Sequence, residues 1–188
     1  MEFNLEFHLQ NEISFSFDNN ECDMVDLLDG EPLLVYATIS LGDETKIGAL
    51  SGYLLYNDMD FFYKCDAVSG DCETIAGAIC KKDGSVKAKY ISKCNGYDKI
   101  FILDNIEIEE SQRKRGVATA VIENLPRILQ KQFDDAGSTI FLCASDYIAA
   151  KQYGFDSPQY EECSRKLMDF YKRFGYEMIS ENVMVWKK

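Results

Sequence analysis

Residues Ile106 to Thr119 read I-E-I-E-E-S-Q-R-K-R-G-V-A-T. The stretch is the tail of Ile100–Glu109 (IFILDNIEIE), a β-branched run that makes the best strand in the chain. Arg113, Lys114 and Arg115 follow, and a segment with helical spacing opens on Gly116. A helix start offers unpaired backbone N–H groups and the positive end of a dipole. Gly116 and Ala118 add little side-chain bulk there, and the basic triplet adds positive charge. Strand, basic turn and small-residue helix start together describe a pyrophosphate cradle. The pattern is neither G-x-x-x-x-G-K-[ST] nor G-x-G-x-x-G, which disfavours a nucleotide triphosphatase or a dinucleotide enzyme. Taken alone, R-x-x-G-x-A also fits a basic strand-to-helix turn on the surface.

Working outward, Val117, Val121, Ile122, Leu125, Ile128 and Leu129 repeat at helical spacing, so Gly116–Gln132 is an expected amphipathic helix. Pro126 falls inside it and is expected to kink or loosen it. Gly137 ends the connection to a buried strand, Thr139–Ala144. Residues 145–158 read as a long loop or an interrupted helix. Tyr160, Cys163, Leu167, Phe170 and Phe174 mark a further helix closed by Gly175, and Tyr176–Ile179 with Val183–Trp186 form a terminal hairpin. On the N-terminal side, Phe3–Leu9 and Ile13–Phe17 alternate as half-buried strands do. Leu33–Leu41 and Ile47–Tyr56 form a hairpin around residues 42–45. Asp71 is placed as the cap of one helix through about Lys81, and Val86–Ile91 as a short strand before an Asn95-Gly96 turn. Strands with helices between them predict an α/β or α+β fold with a partly parallel sheet.

Composition limits the function. The 188 residues suit one domain, and 46% hydrophobic with 28% charged residues is the balance of a soluble globular chain. No apolar run approaches the roughly 20 residues that span a bilayer, and no basic start precedes an apolar core as in a secretory signal. The seven cysteines (Cys22, Cys65, Cys72, Cys80, Cys94, Cys143, Cys163) form no C-x-x-C pair, and His8 is the one histidine, so no metal site is expected. Scattered, odd-numbered thiols read as reduced and cytoplasmic. The net charge is −12, and residues 1–45 hold eleven acids and no Lys or Arg. Such a chain repels a nucleic-acid backbone. Its acidic start reads either as a solvated edge or as an attractive field for a cationic substrate or partner.

With these residues in view, the sequence resembles the GNAT-type N-acetyltransferase superfamily. That family's signature is Gln or Arg, two residues, Gly, one residue, then Gly or Ala, matched here by Arg113-Lys114-Arg115-Gly116-Val117-Ala118. Ile106 and Ile108 stand where the family has paired apolar strand residues. Leu167–Tyr176 (LMDFYKRFGY) resembles the family's helix ending in Y-x-x-x-G-[FY]. The likeness covers about residues 97–188, and residues 1–96 match loosely. It implies a twisted mixed sheet, splayed between the fourth and fifth strands, with helices on both faces. The family places two helices between its first two strands, whereas one clear helix is read here, after the hairpin.

The resemblance further implies acetyl-coenzyme A as co-substrate, with its pyrophosphate on Arg113, Lys114, Arg115, Gly116, Val117, Ala118 and Thr119. Its pantetheine arm would pair with the backbone of Ile106 and Ile108. Tyr171 occupies the position of the general acid that protonates the departing thiolate; otherwise it is a core aromatic. Asp104, an acid in an apolar strand where burial raises a carboxyl pKa, is a candidate general base. Glu107 and Glu109 are alternatives on the opposite face by period-2 alternation. Cys143 stands where some relatives carry a glutamate, and a covalent route through Cys143 or Cys163 lacks a paired histidine. The expected activity is acetyl transfer to a primary amine by direct attack, in one domain spanning 1–188. Residues 1–45 would belong to the acceptor side or form an edge addition. The expected partner is a small-molecule or peptide amine, with neither nucleic acid nor membrane, and a homodimer is left open. The competing expectation is an inactive module of the same fold that binds coenzyme A or a basic partner protein.

Overall fold

Apolar residues alternate along the hairpin strands and run continuously through I-F-I-L at 100–103, and this difference sets the layering. In a computed structural model describing residues 13–17, 30–41, 45–90, 99–133 and 139–187, seven strands form one sheet. They are β1 (Ile13–Phe17), β2 (Leu33–Leu41), β3 (Thr45–Tyr56), β4 (Lys99–Ile108), β5 (Thr139–Cys143), β6 (Glu177–Met178) and β7 (Val183–Lys187). The spatial order is β1-β2-β3-β4-β5-β7-β6, antiparallel throughout except for the parallel pair β4 and β5. Leu33, Val35, Ala37 and Ile39 of β2 are all buried on one face. Central β4 is buried on both: Phe101 and Leu103 enter one core, Ile100 and Ile102 the other.

Helices α1 (Phe61–Val68) and α2 (Gly70–Ile79) cover one face, with Phe61, Cys65, Cys72, Ile75, Ala76 and Ile79 packed against Ile100, Ile102 and Phe141. Helices α3 (Val117–Phe133) and α5 (Pro158–Lys172) are on the other, and short α4 (Tyr147–Tyr153) links β5 to α5. The apolar stripe of α3 is the expected one, extended by Phe133, and the helix runs through Pro126. Ser157 caps α5, its hydroxyl accepting from the Tyr160 N–H at 3.2 Å, with Pro158 in the first turn. Gly175 adopts φ 85° just past the end of α5, the left-handed turn expected of a terminating glycine. Among the described residues, no helix is long and apolar enough to cross a membrane.

Three expectations change. The cap of α2 is Ser69, whose hydroxyl accepts from the Cys72 N–H at 3.2 Å; Asp71 lies inside the first turn and the helix ends at Ile79. Two helices, not one, separate β3 from β4. α1 escapes a periodicity reading because it is short and only Phe61 and Cys65 are buried on it. Of the expected strand Val86–Ile91, residues 86–90 form none: Val86 makes an isolated bridge to Cys80, and Ala88–Tyr90 is a 3-10 turn, while Ile91 lies outside the described residues. Lys87 and Lys89 flank too little apolar surface to recruit a partner strand. The strand Phe3–Leu9, the turn at Asn95-Gly96, residues 42–44 of the hairpin turn and Gly137 lie outside the described residues.

Among the described glycines, the least room for a side chain is at Gly52 on β3. A Cβ there would collide with the Phe101 ring and the Ile102 carbonyl of β4. Gly52→Ala should therefore cost about 1–3 kcal/mol through overpacking. Gly77→Ala, exposed on α2 with open space at its Cβ, should instead gain about 0.5–1 kcal/mol. Thermal unfolding of the two variants beside the parent chain checks the opposite signs.

Candidate functional site

β4 carries an extra residue. Its register against β3 runs Ser51↔Asn105 and then Gly52↔Leu103, which leaves Asp104 unmatched in a β-bulge. The bulge reverses the alternation. Phe101 and Leu103 face the α3 core before it, and Ile106 and Ile108 face that same core after it. Asp104, Asn105 and Glu107 consequently share the opposite face. The expectation that Glu107 lies across the strand from Asp104 is overturned, since a strict period of two fails at a bulge. Glu109 continues beyond the strand, exposed, with its N–H bonded to the Ile47 carbonyl at 2.9 Å.

At the same level β4 loses its neighbour. The ladder to β5 ends at Leu103↔Leu142, although β4 continues to Ile108 and β5 to Cys143. This is the splay implied between the fourth and fifth strands. A cavity of about 750 Å³ opens there, lined by Asp104–Ile108, the start of α2 at Ser69–Asp71, Arg113, and Tyr147 and Ile148 of α4. Burial raises the Asp104 carboxyl above its ordinary range, the Ser51 hydroxyl donating at 3.3 Å opposes this, and the Asp71 charge adds to it. Burial also raises the Tyr147 phenol, and the Asp71 charge adds to this.

A second cavity, about 210 Å³, lies at the helix start and is lined by Ile108, Gln112, Arg113, Lys114, Gly116, Val117, Ala118, Thr119 and Phe170. Lys114 (φ 63°) and Gly116 (φ 85°) are both left-handed, and Lys114 is the one non-glycine residue with positive φ among the described residues. Left-handed residues in such a turn gather N–H groups into an anion-binding nest. A Cβ at Gly116 would meet nothing within 4 Å, so the concavity is open. Arg113 belongs to both cavities, its Nε donating to the Ile108 carbonyl at 2.9 Å. Arg115 lines neither; its guanidinium turns outward to Gln112 at 2.6 Å.

Tyr171 is buried, its ring centroid 5.4 Å from those of Phe170 and Tyr176, and it lines neither cavity. Burial alone pushes its phenol up to about 12. Cys143 sits at the end of β5 with its thiol 3.7 Å from the Asp71 carbonyl, and burial pushes it up to about 12, so it holds almost no thiolate at neutral pH. Sequence reasoning missed Ser51, Tyr147 and Ile148, and read Asp71 only as a cap. The signal for the α4 pair was present in S-D-Y-I-A-A-K. Asp146 caps the helix, Ala149 and Ala150 turn inward, and Tyr147 and Ile148 are left outside, 51% and 66% exposed.

No family model matches the chain, and no curated protein does. Among solved structures it is similar to Arabidopsis thaliana NAA60 in complex with acetyl-CoA, at 12% identity and a TM-score of 0.49, covering 94% of this chain and 99% of that one. It is also similar to AtaTR bound with AcCoA, at 10% identity and a TM-score of 0.47, covering 95% and 94%. A KacTA–DNA complex matches at 11% identity and a TM-score of 0.47, covering 94% and 93%.

The raised Asp104 pKa has a definite sign in stability. Between the unfolded carboxylate value, about 3.9, and the folded one, the folded chain holds the proton more tightly, so stability falls as pH rises through that window. Asp104→Asn keeps an acceptor for Ser51 and removes the buried charge. Its melting temperature at pH 7 should exceed the parent's, with the gain shrinking as pH is lowered toward 4. A loss at pH 7 would mean that the carboxylate is held by pairing and not strained by burial.

Proposed function

We propose that the chain transfers an acetyl group from acetyl-coenzyme A to a primary amine by direct attack. The observation that carries this is the freed edge of β4, which joins a basic nest on one side to a carboxylate-lined cavity on the other through Ile108 and Arg113. Arg113, Lys114 and the N–H groups from Gly116 to Thr119 suit a pyrophosphate, with Arg115 adding charge from outside. The backbone of Ile106 and Ile108, unpaired on its β5 side, suits the amide-bearing pantetheine arm as an added strand would.

In this reading an ammonium in the larger cavity gives its proton to Asp104, directly or through water, with Glu107 on the same face as a second acceptor. The freed amine attacks the thioester carbonyl; a C–N bond forms as the C–S bond breaks, and the nitrogen gives its second proton to water. Backbone N–H groups of the β4 edge stabilise charge on the carbonyl oxygen. Tyr171, protonated across the neutral range, supplies the departing thiolate with a proton and regains one from solvent. The products are an amide, coenzyme A and one released proton. The free thiols Cys65, Cys72, Cys80, Cys143 and Cys163 suit the cytoplasm. A second reading, binding of coenzyme A or a basic partner without turnover, draws on the burial of Tyr171 away from both cavities.

Acetyl-coenzyme A at about a hundred times its dissociation constant should raise the melting temperature by roughly 5–10 °C. Gly116→Glu places a negative charge in the nest and should abolish that shift; an unaltered shift would remove the phosphate site. Tyr171→Phe should keep the shift while kcat drops about a hundredfold or more. Unchanged turnover in Tyr171→Phe would remove the tyrosine from the mechanism, and binding without turnover in the parent chain would favour the second reading.

A further inference from the structure

The larger cavity holds more negative charge than removal of one proton requires. Among the described residues Asp71, Asp104 and Glu107 line it, against one cation, Arg113. Arg113 stands at the end shared with the nest and is tied to the Ile108 carbonyl, so a pyrophosphate in the nest would match its charge. Three carboxylates then face the acceptor. They do not form a metal site: among the described residues no three His, Cys, Asp or Glu converge closely enough to hold an ion. They are spread instead over two elements, Asp71 at the start of α2 and Asp104 and Glu107 along β4. Apolar surface lies among them, supplied by Ile148 and the Tyr147 ring. Asp71 lies close to Tyr147, which places one carboxylate at the α4 wall. Alternating carboxylate and apolar surface is complementary to an alkyl chain with positive charges at intervals.

We propose that the acceptor is an alkyl diamine or polyamine. One ammonium is deprotonated at Asp104 and acetylated, while a second, kept charged, is held by Asp71 beside Tyr147. Acetylation replaces one ammonium by a neutral amide and releases one proton, so the product leaves with one charge fewer and a weaker hold on the carboxylates. The proposal rests on the acetyl-transfer reading above and adds the substrate class to it.

Three probes share a four-carbon chain and a reacting amine but differ in the charge at the far end: 1,4-diaminobutane, n-butylamine and 4-aminobutyrate. Calorimetric affinity for the coenzyme A-loaded chain, and kcat/KM with acetyl-coenzyme A, should both rank the diamine first and the amino acid last. The diamine should lead butylamine by about tenfold or more. Asp71→Asn should collapse that lead chiefly through KM, Asp71→Glu should restore part of it, and Glu107→Gln offers an independent reduction should the α2 variants misfold. Equal affinity for the three amines, preference for 4-aminobutyrate, or a lead that survives both Asp71→Asn and Glu107→Gln would overturn the proposal. Failure of acetyl-coenzyme A itself to bind would instead overturn the reading beneath it, and the thermal shift reports that separately.

Discussion

One unmatched residue in the central strand governs how the site is built. At Asp104 the β4 backbone takes an extra step against β3, at the level where its ladder to β5 stops. Either event alone would have modest consequences. A bulge in a fully paired strand would only re-aim side chains, and a lost neighbour without a bulge would open an edge lined by alternating faces. Together they turn three consecutive polar-face positions, Asp104, Asn105 and Glu107, toward one opening and leave Ile106 and Ile108 on the other core. The disturbance is tolerated because the preceding four residues, Ile100 to Leu103, are buried on both faces and anchor the strand.

The two cavities that meet at this point have opposite charge, and the fold keeps them apart with the strand itself. The nest on the α3 side is basic because Arg113 and Lys114 sit in a turn whose backbone is already left-handed. The cavity on the α2 side is acidic because the bulge and the start of α2 bring carboxylates from distant parts of the chain together. Arg113 bridges them, anchored to the Ile108 carbonyl. Such a separation suits a reaction between an anionic carrier and a cationic acceptor, since each is drawn to its own side of β4. The raised pKa of Asp104 belongs to the same arrangement. A carboxyl half-withdrawn from water beside the Asp71 charge binds a proton more readily than one in solvent.

Much of the second half of the chain was legible because its signals are local. The stripe on α3, the glycine turn at Gly175 and the R-x-x-G-x-A turn each depend on residues within a few positions of one another. The same holds for the small, positive helix start that makes the nest. α1 was not legible, because an eight-residue helix with two buried residues carries almost no periodic signal. Arg115 illustrates the limit within a motif: three adjacent basic residues look equivalent in sequence, yet the turn sends Arg113 and Lys114 to the nest and Arg115 to Gln112.

The sequence by itself determined the strand–turn–helix that forms the nest, the hairpins, the helices on either side and the identity of Asp104 as an acid in an apolar strand. These follow from short-range periodicity, capping and backbone preference. Only the tertiary structure decided that Asp104 and Glu107 share a face, that Asp71 and Tyr147 complete their cavity, and that Tyr171 lies outside both cavities. The bulge is a property of the register between β3 and β4, and Asp71, Asp104 and Tyr147 come from separate elements. No pattern along one strand or helix encodes how far a neighbouring element will slide before its side chains pack.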